Sequence, residues 1–131
     1  MRVLVCGSRN WDDWFTIYDC LDRVASVIKI ETVIEGGATG ADRYGRNWAN
    51  RHGIPVETYP ADWERYGLRA GGLRNARMLH EGRPDLVIAF PLPNSRGTWN
   101  MVKTARDAGV KVWIMPGALA EVDALGEGVF T

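Results

Sequence analysis

The chain holds only two cysteines, Cys6 and Cys20, with no C-x-x-C spacing between them. That excludes a disulfide-stapled scaffold and a cysteine-built metal site, and leaves two reduced structural thiols as the expectation. Its only histidines, His52 and His80, lie far apart without a ligand-spaced cysteine or carboxylate, so no metal is expected. Apolar runs reach only four to six residues and no charged-then-apolar leader opens the chain, so neither a membrane span nor a signal peptide is read and a cytoplasmic protein is expected. Net charge is also missing: 16 Lys and Arg meet 16 Asp and Glu, which argues against a general binder of nucleic acid or membrane surfaces. Finally, neither the Walker A sequence nor G-x-G-x-x-G occurs, which weakens the standard P-loop and dinucleotide dehydrogenase readings.

What is present is an ordinary globular composition, 46% hydrophobic and 24% charged, in 131 residues, a length that suits one domain with one core. The zero net charge conceals an asymmetry. All 16 cations lie in residues 1–115 beside 13 of the anions, so the body carries +3 and the C-terminal stretch −3. Five short runs rich in β-branched residues read as strands: Arg2–Cys6, Thr32–Glu35, Pro55–Tyr59, Asp85–Phe90 and Val110–Met115. The first and fourth are continuous rather than alternating, the pattern of strands covered on both faces.

Between the strands, apolar residues recur at helical spacing. Trp14, Ile17, Leu21, Val24 and Ile28 form one such face, Ala41, Tyr44, Trp48 and Ala49 a second, and Thr98, Met101, Val102 and Ala105 a third. The segment Asp62–Gly72 carries three glycines and two aromatics, and reads as a mobile, partly exposed loop before a helix at Leu73–Glu81. Alternating strands and helices predict an α/β, Rossmann-like, doubly wound parallel sheet with strand order 3-2-1-4-5. Residues 1–115 are expected to form this single domain. Residues 116–131 read as an acidic tail, with a short helix over Ala118–Leu125 or partial disorder.

In such a sheet, the loops leaving the carboxyl ends of the strands share one edge, and three of them pair glycine with polar residues. They are Gly7-Ser8-Arg9-Asn10, Gly36-Gly37-Ala38-Thr39-Gly40 and Asn94-Ser95-Arg96-Gly97-Thr98. Each leads to a helix N-terminus, where unpaired N–H groups and the helix dipole attract anions. Two readings stand for the glycines: close approach of a phosphate or sugar to the backbone, or tight turns and close helix–sheet packing. Thr39 or Asp42 is expected to cap the second helix, and Asp42 could instead accept hydrogen bonds from a ribose hydroxyl. Arg9 and Arg96 sit beside turn glycines, and Arg74 and Arg77 could share a helix face, so each could fork onto a phosphate. Trp11, Trp63 and Tyr66 are the aromatic candidates for stacking on a base.

The segments VLVCGSRNW (Val3–Trp11), VIEGGATGADRYGRNWA (Val33–Ala49), PADW (Pro60–Trp63), AGGLRNARM (Ala70–Met78), DLVIAF (Asp85–Phe90) and RGTWNMVKTARDAGVKV (Arg96–Val112) resemble the YspA-like branch of the SLOG superfamily. This superfamily is related to the LOG phosphoribohydrolases and to DprA. The resemblance covers about residues 2–115. It implies a Rossmann-like fold that binds a nucleotide or nucleotide-derived ligand, of the ADP-ribose, NAD or nucleoside monophosphate class, at the loops just named. The implied ligand set is Gly7, Ser8, Arg9, Gly36, Gly37, Gly40, Asp42, Arg74, Asn75, Arg96, Gly97 and Thr98.

In the LOG enzymes a P-G-G-x-G-T-x-x-E segment supplies a catalytic carboxylate, and an R-K-x-x-M segment an assisting arginine. Here Gly97 and Thr98 match the G-T, and Arg74 and Met78 match the Arg and Met, but Asn75 replaces the lysine and Met101 stands where the glutamate would be. Cleavage of an N-glycosidic bond needs a carboxylate beside a cation-like sugar, which methionine does not provide. The resemblance therefore implies a non-catalytic sensor or binding protein. The alternative is a nucleotide N-glycosidase or phosphoribohydrolase using Glu35 or Asp42 with Arg74. No cofactor is indicated. The expected partner is a nucleotide-derived small molecule rather than a membrane or nucleic acid, and a Trp-rich surface could support a homodimer like those of the LOG relatives.

Overall fold

In the computed structural model, which describes residues 1–129, five parallel strands stand in the order β3-β2-β1-β4-β5. They are β1 (Arg2–Gly7), β2 (Thr32–Glu35), β3 (Val56–Thr58), β4 (Leu86–Phe90) and β5 (Lys111–Ile114). β1 is central, paired with β2 on one side and with β4 on the other, where Val3 faces Leu86 and Gly7 faces Phe90. The helices are α1 (Trp14–Ala25), α2 (Ala41–Arg51), α3 (Trp63–Tyr66), α4 (Ala70–Gly82), α5 (Arg96–Asp107) and α6 (Leu119–Val129), with one 3₁₀ turn at Gly67–Arg69.

Side chains of a strand alternate between faces, and here both faces are covered. Val3 and Val5 of β1 join Ile17, Leu21 and Val24 of α1 and Trp48 of α2 in one apolar cluster. Leu4 and Cys6 point the other way, into a second cluster with Met78 of α4 and Met101, Val102 and Ala105 of α5. This two-sided burial explains why the first and fourth strands are continuously apolar. It makes the fold the doubly wound, Rossmann-like α/β sheet expected from the alternation of elements. Both cysteines are buried and unpaired, and among the described residues no helix is long and apolar enough to cross a membrane.

Two expectations need correction or extension. The Asp62–Gly72 segment is not a loop: it folds as α3, the 3₁₀ turn and the first turn of α4, with Asp62 accepting from the Arg65 amide at 3.1 Å as the cap of α3. The hidden reason is composition. The face α4 buries is Ala70, Asn75, Met78 and Gly82, of which half is not strongly apolar, so helical periodicity was masked. Part of that segment does stay exposed, since α3 and the 3₁₀ turn bury no side chain. At the C-terminus, α6 packs on α1 through fully buried Val122, and the Arg23 guanidinium bonds both Asp123 and Asp19.

Candidate functional site

All three glycine-bearing loops emerge at one edge of the sheet and are stapled together there. The Ala41 amide donates to the Ser8 carbonyl at 3.1 Å, and the Thr39 hydroxyl donates to the Arg9 carbonyl at 3.0 Å. The Ser8 amide donates to the Phe90 carbonyl at 3.0 Å, tying the first loop to β4. Gly40 makes the first of these junctions possible. Its φ is +70°, and a Cβ there would stand 2.4 Å from the Ser8 carbonyl oxygen. Gly7 is equally confined, since a Cβ would meet the Ala41 Cβ at 2.5 Å and the Phe90 carbonyl oxygen at 2.6 Å.

Asp42 does not cap α2, and neither does Thr39. The N-cap is Gly40, with no side-chain cap bond. Asp42 instead reaches backwards, and its Oδ2 accepts from the Gly36 amide at 3.2 Å and the Ala38 amide at 3.3 Å. It is 5% exposed, and its other oxygen has no hydrogen-bond partner among the described residues. Burial and the nearby Glu35 push its carboxyl up to about 6, against the opposing pull of the Ala38 and Gly36 amides and the Arg74 charge.

Glu35 is fully buried with both oxygens occupied: Oε1 accepts from the Gly37 amide at 2.7 Å, and Oε2 accepts from the Thr58 hydroxyl. Arg46 lies 3.8 Å from Oε1. Glu35 thus supports the loop from behind and does not line the cavity described next.

From α4, Arg74 crosses to the second loop, where its Nη1 donates to the Gly36 carbonyl at 2.7 Å. A Cβ on Gly36 would lie 2.3 Å from that same Nη1. The backbone of VIEGGATGAD is bare at Gly36 because an arginine of the chain itself passes there. Arg74 Nε donates to Asn75 Oδ1 at 3.0 Å, and Asn75 Nδ2 donates to the Gly97 carbonyl at 3.1 Å and to Asn100 Oδ1 at 3.0 Å. One side-chain relay therefore links the β2 loop, α4 and the first turn of α5. Arg77 is not part of it: it pairs with Glu81 at 3.0 Å and stacks over Tyr59.

α5 begins with unfilled donors. Ser95 is its N-cap, but the Ser95 hydroxyl accepts from the Leu92 amide at 2.9 Å and makes no cap bond to the helix. Among the described residues, the Gly97 and Thr98 amides have no acceptor, and the Thr98 hydroxyl, on a residue 5% exposed, has no partner. Unlike the other edge glycines, Gly97 faces open space, with nothing within 4 Å of a built Cβ.

These groups enclose a cavity of about 280 Å³ lined by Gly7, Ser8, Arg9, Asn10, Ala38, Asp42, Arg74, Asn75 and the Asn94–Thr98 turn, with Cys6 and Met78 at its floor. Gly36 and Gly37 border an adjoining hollow of about 360 Å³ with Arg9, Arg74 and Trp63, while Gly40 lines neither. Of the predicted ligand set, Gly7, Ser8, Arg9, Asp42, Arg74, Asn75, Arg96, Gly97 and Thr98 are therefore brought to one cavity. Asn10, Ala38, Asn94 and Ser95 were absent from that set. All four belong to the three glycine-bearing loops already read from the sequence, so taking each loop whole would have included them.

Three guanidinium groups, two free helix amides and a helix dipole suit a multiply charged anion. Cys6 supplies no nucleophile, because burial first and the Asp42 charge second push its thiol well above the ordinary thiol range. Met101 is fully buried in the core beneath α5. Trp11 packs edge-on against Phe90 with its Nε1 donating to the Asp13 carbonyl at 2.8 Å, so it belongs to the loop's own packing. Trp63 is 47% exposed beside the cavity mouth, with the Arg9 guanidinium 5.9 Å over its ring. Tyr66 is also exposed but lines none of these hollows.

Residues 1–66 match the family described as YspA, cpYpsA-related SLOG family. The Gene 61 protein of Mycobacterium phage D29 is 41% identical over 117 residues, covering 85% of this chain and 93% of that protein. Among solved structures, DNA processing protein A (DprA) from Streptococcus pneumoniae aligns with a TM-score of 0.46 and 14% identity, over 92% of this chain and 61% of that one.

Proposed function

The chain belongs to the YspA, cpYpsA-related SLOG family, and from that premise we propose that it binds a nucleotide or nucleotide-derived ligand in the cavity at the carboxyl edge of its sheet, as a non-catalytic binding protein. One observation carries the reading. Gly97 and Thr98, whose amides have no acceptor among the described residues, line the same cavity as Arg9, Arg74 and Arg96. A phosphoryl group seated there gains charge-assisted bonds from donors that have no other partner. The ordinary catalytic carboxylate of the LOG relatives has no counterpart, because Met101 is buried and Glu35 is engaged by its own loop.

A second reading, hydrolysis of a nucleotide N-glycosidic bond, is favoured by Asp42 alone. Its carboxyl lines the cavity with one oxygen unpartnered among the described residues, and burial pushes it up to about 6, towards the range suited to a general acid or base.

Thermal unfolding with a nucleotide panel, read together with release of free base, separates the two. Binding without turnover raises stability by about 2.7 kcal/mol at a ligand concentration one hundred times Kd. Gly97→Val adds a side chain to a residue that lines the cavity, where nothing stands within 4 Å of the new Cβ, and is expected to abolish that gain in a protein that stays folded. Base release that disappears in Asp42→Asn would replace the binding-protein reading with the hydrolase. No stabilisation by any nucleotide refutes both.

A further inference from the structure

Outside the cavity a second, shallower groove of about 570 Å³ runs over α4 towards Trp63 and the 3₁₀ turn. Arg9, Arg69, Arg74 and Arg96 all line it, and no carboxylate does. Among the described residues, Arg9, Arg69 and Arg96 form no ion pair, as is true of most arginines of the chain; what sets these apart is that they gather around one groove. Arg74 bonds the Gly36 carbonyl through Nη1 and makes no ion pair among the described residues, although its charge reaches the Asp42 carboxyl on the cavity side. Four like charges around one groove repel each other, and the field they sum to is relieved by an anion placed among them. The cavity and the groove share Arg9, Arg74, Asn75, Arg96 and Gly97, so they form one continuous site with two anion-attracting ends.

We infer that the groove is a second anion subsite, and that the ligand carries at least two linked phosphoryl groups: one on the Gly97 and Thr98 amides, the next among Arg9, Arg69 and Arg96. This rests on the nucleotide-binding reading and narrows it to a nucleoside diphosphate or a diphosphate-linked nucleoside, in preference to a monophosphate. A single phosphoryl group seated on the amides leaves Arg69 unused, because Arg69 borders the groove and not the cavity. Trp63 walls the groove near Arg9 and offers a flat apolar face beyond the phosphates.

Isothermal titration with divalent cations chelated tests this, using inorganic phosphate, pyrophosphate, AMP, ADP and a short oligodeoxythymidylate on the native protein, Arg69→Gln and Gly97→Val. ADP is expected to bind about tenfold or more tightly than AMP, and pyrophosphate more tightly than phosphate, the change that one added charge-assisted contact brings. Arg69 is exposed and unpaired, so Arg69→Gln keeps the fold. It is expected to erase most of the ADP advantage while leaving AMP affinity unchanged. AMP and ADP binding equally, or Arg69→Gln weakening both alike, overturns the second subsite and leaves the nucleotide reading intact. Oligodeoxythymidylate binding more tightly than ADP overturns the diphosphate assignment in favour of a single-stranded nucleic acid. ADP binding untouched by Gly97→Val, or no binding of any probe, overturns the cavity reading itself and the inference with it.

Discussion

Replacing Asp42 by asparagine is expected to stabilise this protein near neutral pH, by an amount the structure allows to be worked out. The carboxyl is 5% exposed, beside Glu35, and its titration is raised from an ordinary value of 3.8 to about 6. A raised carboxyl means that the folded state holds its proton more tightly than the unfolded chain does. The stabilising contribution is therefore complete below about pH 4 and is lost as pH rises through 6. With each pH unit of displacement worth 1.36 kcal/mol, ionisation of Asp42 costs the folded state about 3 kcal/mol above pH 7. Asparagine is nearly isosteric. Its oxygen can accept from the Gly36 and Ala38 amides as Oδ2 now does, and its NH₂ takes the unpartnered position facing the cavity. Urea unfolding of both proteins at intervals from pH 4 to 8 gives the difference directly. The two should be nearly equal at the acid end and diverge between pH 4 and 6.5, with the asparagine protein ahead thereafter. A difference that stays flat across that range, or asparagine losing at pH 7.5, would refute the account of the site's electrostatics. The same linkage acts on ligands: a phosphoryl group beside Asp42 opposes its ionisation, so anion affinity should fall from pH 5.5 to 7.5 in the native protein and fall less in the variant, as titration calorimetry reads.

Three further outcomes follow from packing. Gly40→Ala forces a residue with a side chain to φ +70° and drives its Cβ within 2.4 Å of the Ser8 carbonyl, so urea unfolding should show a loss of at least about 2 kcal/mol. Asn75→Ala removes the partner of Arg74 Nε, the Gly97 carbonyl and Asn100, and should cost about 2 kcal/mol in stability while lowering AMP affinity, because Arg74 and the α5 turn lose their common brace. Val122→Ala empties a fully buried contact between α6 and the core, and should cost about 2 kcal/mol; a change near zero would mean that α6 does not dock on α1 in solution.

The sheet was legible because its signals are local and repeated. Continuous β-branched runs at β1 and β4 and helical apolar spacing in α1, α2 and α5 are written within windows of a dozen residues, and two-sided burial is what such runs mean. The strand order followed from right-handed crossovers, which need no side-chain detail. The 62–72 segment was misread for the opposite reason. α3 and the 3₁₀ turn bury nothing, and α4 uses an asparagine and a glycine on its inner face, so composition there records a link to α5 and to Ile34 instead of an apolar stripe. Arg69 escaped notice for the same reason, since a residue assigned to a loop has no helix face from which to be aimed.

At the site, residue type revealed which groups gather at the edge but not what each one serves. Glycine is the sharpest case. Gly7, Gly36 and Gly40 are bare because Ala41, Arg74 and the Ser8 carbonyl press on them, all groups of the chain itself, while Gly97, alone among these four, opens on empty space. Each of those neighbours comes from a different loop or helix, so no window of sequence distinguishes a glycine cleared for the fold from one cleared for a ligand. Asp42 poses the same problem, because its position at the start of α2 reads as a cap while its carboxylate turns back on the preceding loop. The working criterion for sites of this kind is thus what a Cβ would touch. Where it meets protein, the glycine holds loops together; where it meets nothing, beside donors without acceptors, a bound anion is the group that needs the room. By that criterion, substitution at Gly97 should remove binding and spare stability, whereas substitution at Gly40 should lower stability and weaken binding only through loss of the edge that both depend on.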